Sequence, residues 1–180
     1  MQRIITQLCF FLLIFSFQAS AAEPVTGPVV ENYGPVYAVP EGSFNLEAKR
    51  KYKILMDIGK GPDDPSALNR NVESVARLLN MHARNGIKPE NLEVAIVLHG
   101  SGIHSALKDE AYDEKFLVSN PSKDLVKSLS KAGVHIYVCG QSAAFNGYSE
   151  DDLLPEIKMA VSAMTVHVRL QQEGYQPILF

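Results

Sequence analysis

Two short apolar runs in this chain each end in a residue that can do covalent or proton chemistry. Val134-His135-Ile136-Tyr137-Val138 runs into Cys139-Gly140-Gln141-Ser142. A β-type stretch that stops at a thiol and restarts as a helix sets the sulfur under backbone N–H groups, which favour the thiolate. The thiolate, not the thiol, is the nucleophile. Gly140 lets amides approach the sulfur closely, and Gln141 and Ser142 continue the cradle. The second run, Leu92-Glu93-Val94-Ala95-Ile96-Val97-Leu98, ends in His99-Gly100-Ser101, with His104 close behind. A histidine there offers a proton or a positive charge to the thiolate. Cys139 and His99 are therefore the candidate catalytic residues. Gly140, Gln141, Ser142, Ser101 and His104 are the candidate substrate-binding residues. Each has a plainer reading. Cys139 can be a small buried apolar residue, and His99 and His104 can be loop histidines bonded to backbone. His135, inside its strand, reads as a core histidine. His82 and His167, on helices, read as packing or solvent-facing.

Other chemistries find less support. Neither C-x-x-C nor H-x-x-x-H occurs, so no metal site is expected. Gly59-Lys60-Gly61 lacks the length and the Ser/Thr of a phosphate-binding loop, and there is no G-x-S-x-G elbow. Asp63-Asp64, Asp113-Glu114 and Glu150-Asp151-Asp152 read as helix N-terminal charges or solvated faces. No cofactor is expected.

The elements that must position these residues alternate. Lys53–Ile58 reads as the first strand, followed by a helix starting near Pro65, where proline suits the first turn. That helix carries Leu68, Val72, Val75, Ala76, Leu79 and His82 inward, and Asn85-Gly86 stops it. Leu92–Leu98 is the second strand, and 108–117 an irregular or helical surface segment. Asn120-Pro121-Ser122 opens a helix with Leu125, Val126 and Leu129 on its apolar stripe. Val134–Val138 is the third strand and Ile157–Val161 the fourth. Ser162–Glu173 is a helix with Ala163, Val166, Leu170 and Met164 turned inward, and Tyr175–Phe180 is a terminal strand. Such alternation is the pattern of an α/β fold, a parallel sheet with helices on both faces. Right-handed crossovers bring the carboxyl ends of the strands, with Gly59-Lys60, His99 and Cys139, to one edge.

The first residues read differently. Arg3, the apolar run Leu8–Phe17 and Ala19-Ser20-Ala21 make a secretory signal over 1–21, cut near Ala21/Ala22. The apolar run falls short of the roughly 20 residues of a membrane span, so no membrane contact is expected after cleavage. Residues 22–48 form an arm in which Pro and Gly interrupt Val29, Val30, Tyr33, Val36 and Tyr37. It is too apolar for a free linker, and is expected to lie on the domain, 49–180, or on a neighbouring subunit. Of two cysteines, one sits in the signal, so the exported chain keeps Cys139 alone, as a free thiol or an intermolecular pair. A net charge of −3 gives no reason to expect a nucleic-acid partner.

The run Val134–Ser142, the segment Val94–Gly100 and the ending Gln171-Gln172-Glu173-Gly174-Tyr175-Gln176 resemble the DsrE/DsrF-like family over Tyr52–Phe180. The resemblance implies a three-layer α/β/α sandwich around a mostly parallel five-stranded sheet. It also implies oligomers, often trimer-based, and a sulfur relay in which a cysteine at the place of Cys139 carries sulfane sulfur as a persulfide. The partners expected are a sulfur donor or acceptor, protein or small compound, and further copies of the chain. Export to the periplasm or beyond departs from the intracellular relay proteins of the family. The expectation is thus an exported sulfur carrier or sulfurtransferase acting through Cys139. The alternative is a non-enzymatic binding or assembly module with Cys139 merely packed.

Overall fold

The computed structural model describes residues 23–39 and 44–179; the signal reading for 1–21 lies outside them. Tyr52–Ile58 (β1) and Leu92–Leu98 (β2), the two long apolar runs, pair in parallel from Tyr52 opposite Leu92 to Ile58 opposite Leu98. β2 pairs with His135–Cys139 (β3), β3 with the short Lys158–Ala160 (β4), and β1 on its other side with Gln176–Leu179 (β5). All pairings are parallel, in the order β4-β3-β2-β1-β5.

The chain steps outward from β1 to β4, then crosses back to β5. Arg70–Arg84 (α1), Asp109–Phe116 (α2) and Lys123–Lys131 (α3) belong to the outward steps and pack on one face. Gly140–Phe145 (α4) sits at the carboxyl end of β3. The return crossover, Ala163–Gln172 (α5), covers the opposite face. This is a three-layer α/β/α sandwich around a five-stranded sheet. Strand side chains alternate between faces. Met56, Ile58, Ile96, Leu98 and Val138 meet Val72, Val75, Leu79, Leu125 and Leu129. Leu55, Ala95 and Val97 meet Val166, Leu170 and Tyr175 beneath α5. Burial on both faces is why β1 and β2 read as continuous apolar runs.

Three expectations need correction. The first helix begins at Arg70, not near Pro65. Asn69 accepts hydrogen bonds from the N–H groups of Asn71 (3.0 Å) and Val72 (3.4 Å), and it wins as cap over proline as opener. Pro65 instead lies in a turn where Asp64 accepts from the Ser66 N–H, and Leu68 precedes the helix. His135 is exposed at the first residue of β3 rather than in the core. Met164 points outward, 75% exposed, because Val166 and Leu170 define the inner face of α5.

The described part of the arm lies on α1 of its own chain. Asn80, fully buried, accepts from the N–H groups of Val29 and Val30 and donates to the carbonyls of Val30, Tyr33 and Gly34. Arg84 holds the carbonyls of Thr26 and Gly27.

Candidate functional site

Cys139 is the last residue of β3 and the N-cap of α4. Its side chain shares the α5 face with Tyr137, and the residue is 5% exposed. Burial pushes the thiol pKa up. Against that, the Ser142 hydroxyl and the backbone N–H groups of Ser142, Ala163 and Gln141 donate to the sulfur, and together they hold the thiol below its ordinary value. The sulfur therefore lies where the first turns of α4 and α5 converge. α5 reaches it because β4 ends opposite it, with Ala160 paired to Cys139 and the Ser162 cap following. Ser142 is polarised in turn, accepting from the Gly100 N–H at 3.1 Å. Gly140 has a steric role as well. A Cβ there would lie 2.7 Å from the Ala160 carbonyl oxygen, so α4 can start this close to β4 only at a residue with no side chain.

The other expected residues divide. Ser101, His104, Gln141 and Ser142 come together with Phe145 and Asn146 around a surface groove of about 490 Å³. Within it Ser101 Oγ accepts from the Gly61 N–H at 2.9 Å and ties two loops together. His104 is a packed histidine. Its ring stands edge-on to Phe116 at 5.0 Å, and burial lowers its pKa. A second groove, about 410 Å³, lies between β3–β4 and α5, lined by Tyr137, Lys158, Ala160, Thr165 and Arg169 among others.

His99 follows Leu98, and Cys139 follows Val138, its partner in the β2–β3 register. The two are thus level on adjacent strands, about 4.8 Å apart in the sheet direction, and on the same face. The His99 ring turns toward β1, however. Its Nε2 lies 2.6 Å from Asp57 Oδ1, and the ring rests over Gly59, where a Cβ would stand 2.7 Å from Cε1. The other carboxylate oxygen, Asp57 Oδ2, lies 2.5 Å from His167 Nε2 on α5. Burial raises the Asp57 pKa, but the two histidine hydrogen bonds outweigh it and leave the carboxyl below its usual range. Neither Asp57 nor His167 was expected at the site. Asp57 is the sole charged residue between Ile54 and Ile58, and a charge in a buried strand needs a partner. That was the available signal.

The residues that hold this geometry all fall inside one matched stretch of sequence. A family model described as the DsrE/DsrF-like family matches residues 53–180. The chain belongs to the DsrE/DsrF-like family. That family is associated with sulfur relay. Among solved structures, the chain is similar to the protein of unknown function MTH1491 from Methanobacterium thermoautotrophicum. Identity is 21% and the TM-score 0.50, covering 72% of this chain and 100% of that one. The ychN protein from E. coli matches at 15% identity and TM-score 0.49, covering 72% of this chain and 99% of that one. At 21% identity the likeness to MTH1491 shows the fold alone. No curated protein matches the chain. The DsrE/DsrF-like match begins at the start of β1, so the arm on α1 precedes the matched region.

Proposed function

We propose that this DsrE/DsrF-like protein carries sulfane sulfur on Cys139 as a persulfide. The observation that carries this reading is the convergence of three backbone N–H groups and the Ser142 hydroxyl on a sulfur held below its ordinary pKa despite burial. Those donors stabilise an anionic sulfur, and a persulfide anion on Cys139 needs the same kind of partner. The step is attack by the Cys139 thiolate on a sulfane donor, followed by release to an acceptor thiol. Gln141 and Ser142, with Ser101 and His104 in the adjoining groove, supply the surface for donor or acceptor. We further propose that the chain acts outside the cytoplasm after removal of residues 1–21, and as a homo-oligomer.

Intact mass after incubation with a sulfane donor tests the central claim. The expected result is a gain of about one sulfur atom, ~32 Da, lost in Cys139→Ser. An unmodified mass, together with a thiol that reacts only after denaturation, would favour the binding or assembly module. The 5% exposure of Cys139 is what that second reading has in its favour.

A further inference from the structure

We propose that Asp57 and His167 are positioning residues that hold His99 as the proton donor to the thiol leaving the sulfur donor. This rests on the persulfide reading of Cys139. The motivating geometry is a carboxylate shared between two imidazoles at the level of the thiol. Asp57 gives one oxygen to His99 Nε2 at 2.6 Å and the other to His167 Nε2 at 2.5 Å. Both contacts use Nε2, so the carboxylate fixes each ring with its proton there, and leaves Nδ1 of His99 free to carry a second. Three elements meet at this point, β1 with Asp57, β2 with His99 and α5 with His167, and β3 brings Cys139 beside them. Tyr137 lies one step further down β3 on the same face. Lys53, Glu93, Tyr175 and His135 lie toward the amino ends of the strands, and Arg169 on α5 pairs with Glu173.

Exposure assigns the direction of the proton. The His99 side chain is 34% exposed, while Asp57 is 17% and Cys139 5%. The donors to the Cys139 sulfur are Ser142, Ala163 and Gln141, not His99. His99 therefore serves a group that arrives from solvent, not the thiol itself.

The step balances as follows. The Cys139 thiolate attacks the terminal sulfur of an organic persulfide, R–S–SH. A Cys139 S–S bond forms, the S–S bond of the donor breaks, and R–S⁻ leaves with the electron pair. Imidazolium at His99 gives its proton to R–S⁻, so the products are the Cys139 persulfide, R–SH and neutral imidazole. Formally the Cys139 sulfur is oxidised and the R sulfur reduced, with no outside oxidant. A thiolate of ordinary basicity is a poor leaving group and gains from that proton, whereas an acidic thiol leaves unaided.

That contrast supplies the test. Loading of Cys139 is timed in the whole chain by quenched-flow mass spectrometry with glutathione persulfide. In parallel, the same thiol is titrated with 5,5′-dithiobis(2-nitrobenzoate), whose leaving thiol is acidic. Asp57→Asn is expected to slow persulfide loading about tenfold at pH 7, with the aryl disulfide reaction within about twofold of wild type. A pH series on both reagents should show the deficit confined to persulfide loading. His99→Gln, at a more exposed position, should reproduce the selective loss, and it keeps the test valid if Asp57→Asn folds poorly. Equal slowing of both reagents, or unchanged loading in both variants, would overturn the proton role. A wild-type protein that takes up no sulfur would instead defeat the persulfide reading, and the proton role with it.

Discussion

At the residue scale the site is a competition between burial and donors, and Ser142 is where it can be tipped. Its hydroxyl is the largest of the influences lowering the Cys139 pKa. Ser142→Ala should raise that pKa and cut the thiolate fraction at pH 7. Alkylation by iodoacetamide is then expected to slow about three- to tenfold at pH 7. The difference should narrow as pH rises and the thiolate fraction of the variant grows. The sign for stability follows from the same shift. A thiol more acidic in the folded state stabilises the fold above its unfolded pKa, and that contribution is lost as pH falls through the folded value. Cys139→Ala should therefore cost more in Tm at pH 9.5 than at pH 6, as scanning calorimetry at the two pH values would show. Cys139 and the strand that ends in it were legible, because an apolar run meeting a thiol and a glycine is a local signal. The partnership of Asp57, His99 and His167 was not. It depends on the β1–β2 register and on which face α5 takes, and neither is written in local spacing. His167 read as a packing residue because its partner is 110 positions away.

At the element scale, β1 to β4 and the helices between them follow their periodicity closely, since apolar stripes and glycine stops are local. The first turn of α1 escaped that logic. Asn69 caps the helix while Ser122 and Ser105 hold Asn69 in place through bonds of 3.1 and 2.8 Å, and those partners lie far along the chain. The arm escaped it too. Sequence left open whether it would lie on its own domain or on a neighbour, and Asn80 decides the matter by binding it through five hydrogen bonds. Asn80→Ala leaves the Val29 and Val30 N–H groups and three carbonyls without that partner. At about 1 kcal/mol net per buried hydrogen bond, with some groups recovered by water, the loss should be roughly 2–4 kcal/mol. Residues 23–39 are then expected to be cut faster by a non-specific protease, while the alkylation rate of Cys139 stays unchanged, because the arm lies on the face opposite α5. Slower cleavage, or a changed thiol, would show that the arm is coupled to the site. Gly140 makes a complementary case. Gly140→Ala places a methyl 2.7 Å from the Ala160 carbonyl oxygen. The backbone must yield, so about 1–3 kcal/mol of stability and the acidity of the thiol should be lost together. A guanidinium melt and a thiol pH titration would read the two effects.

At the scale of the whole molecule, the sheet is covered unequally. Outward steps from β1 to β4 lay three helices on one face, and the single return crossover leaves α5 for the other. All-parallel sheets are stable with both faces covered, and a helix of ten residues is about 15 Å long, short against five strands. The outcome is visible around α5. Val161, Met164 and Val168 are 72%, 75% and 61% exposed; Met164 and Val168 stand one turn apart on α5 and Val161 lines the Tyr137–Lys158 groove beside it. Burying such side chains is worth about 1.5–3 kcal/mol each, and a second copy of the chain brings a surface of the same character. The homo-oligomer proposed above should form through this face. Light scattering on the chain from residue 22 is expected to give more than one protomer per particle, with Met164→Glu and Val168→Glu together yielding monomers of unchanged circular dichroism. A particle mass unaffected by that pair would place the contact elsewhere, and a monomeric wild type would remove the oligomer. Because α5 also carries His167 and the Ala163 N–H that touches the thiol, the two outcomes differ for chemistry as well. If assembly clamps α5 onto the sheet, dissociation should raise the Cys139 pKa, and the monomer should alkylate more slowly at pH 7 even though its thiol is more exposed.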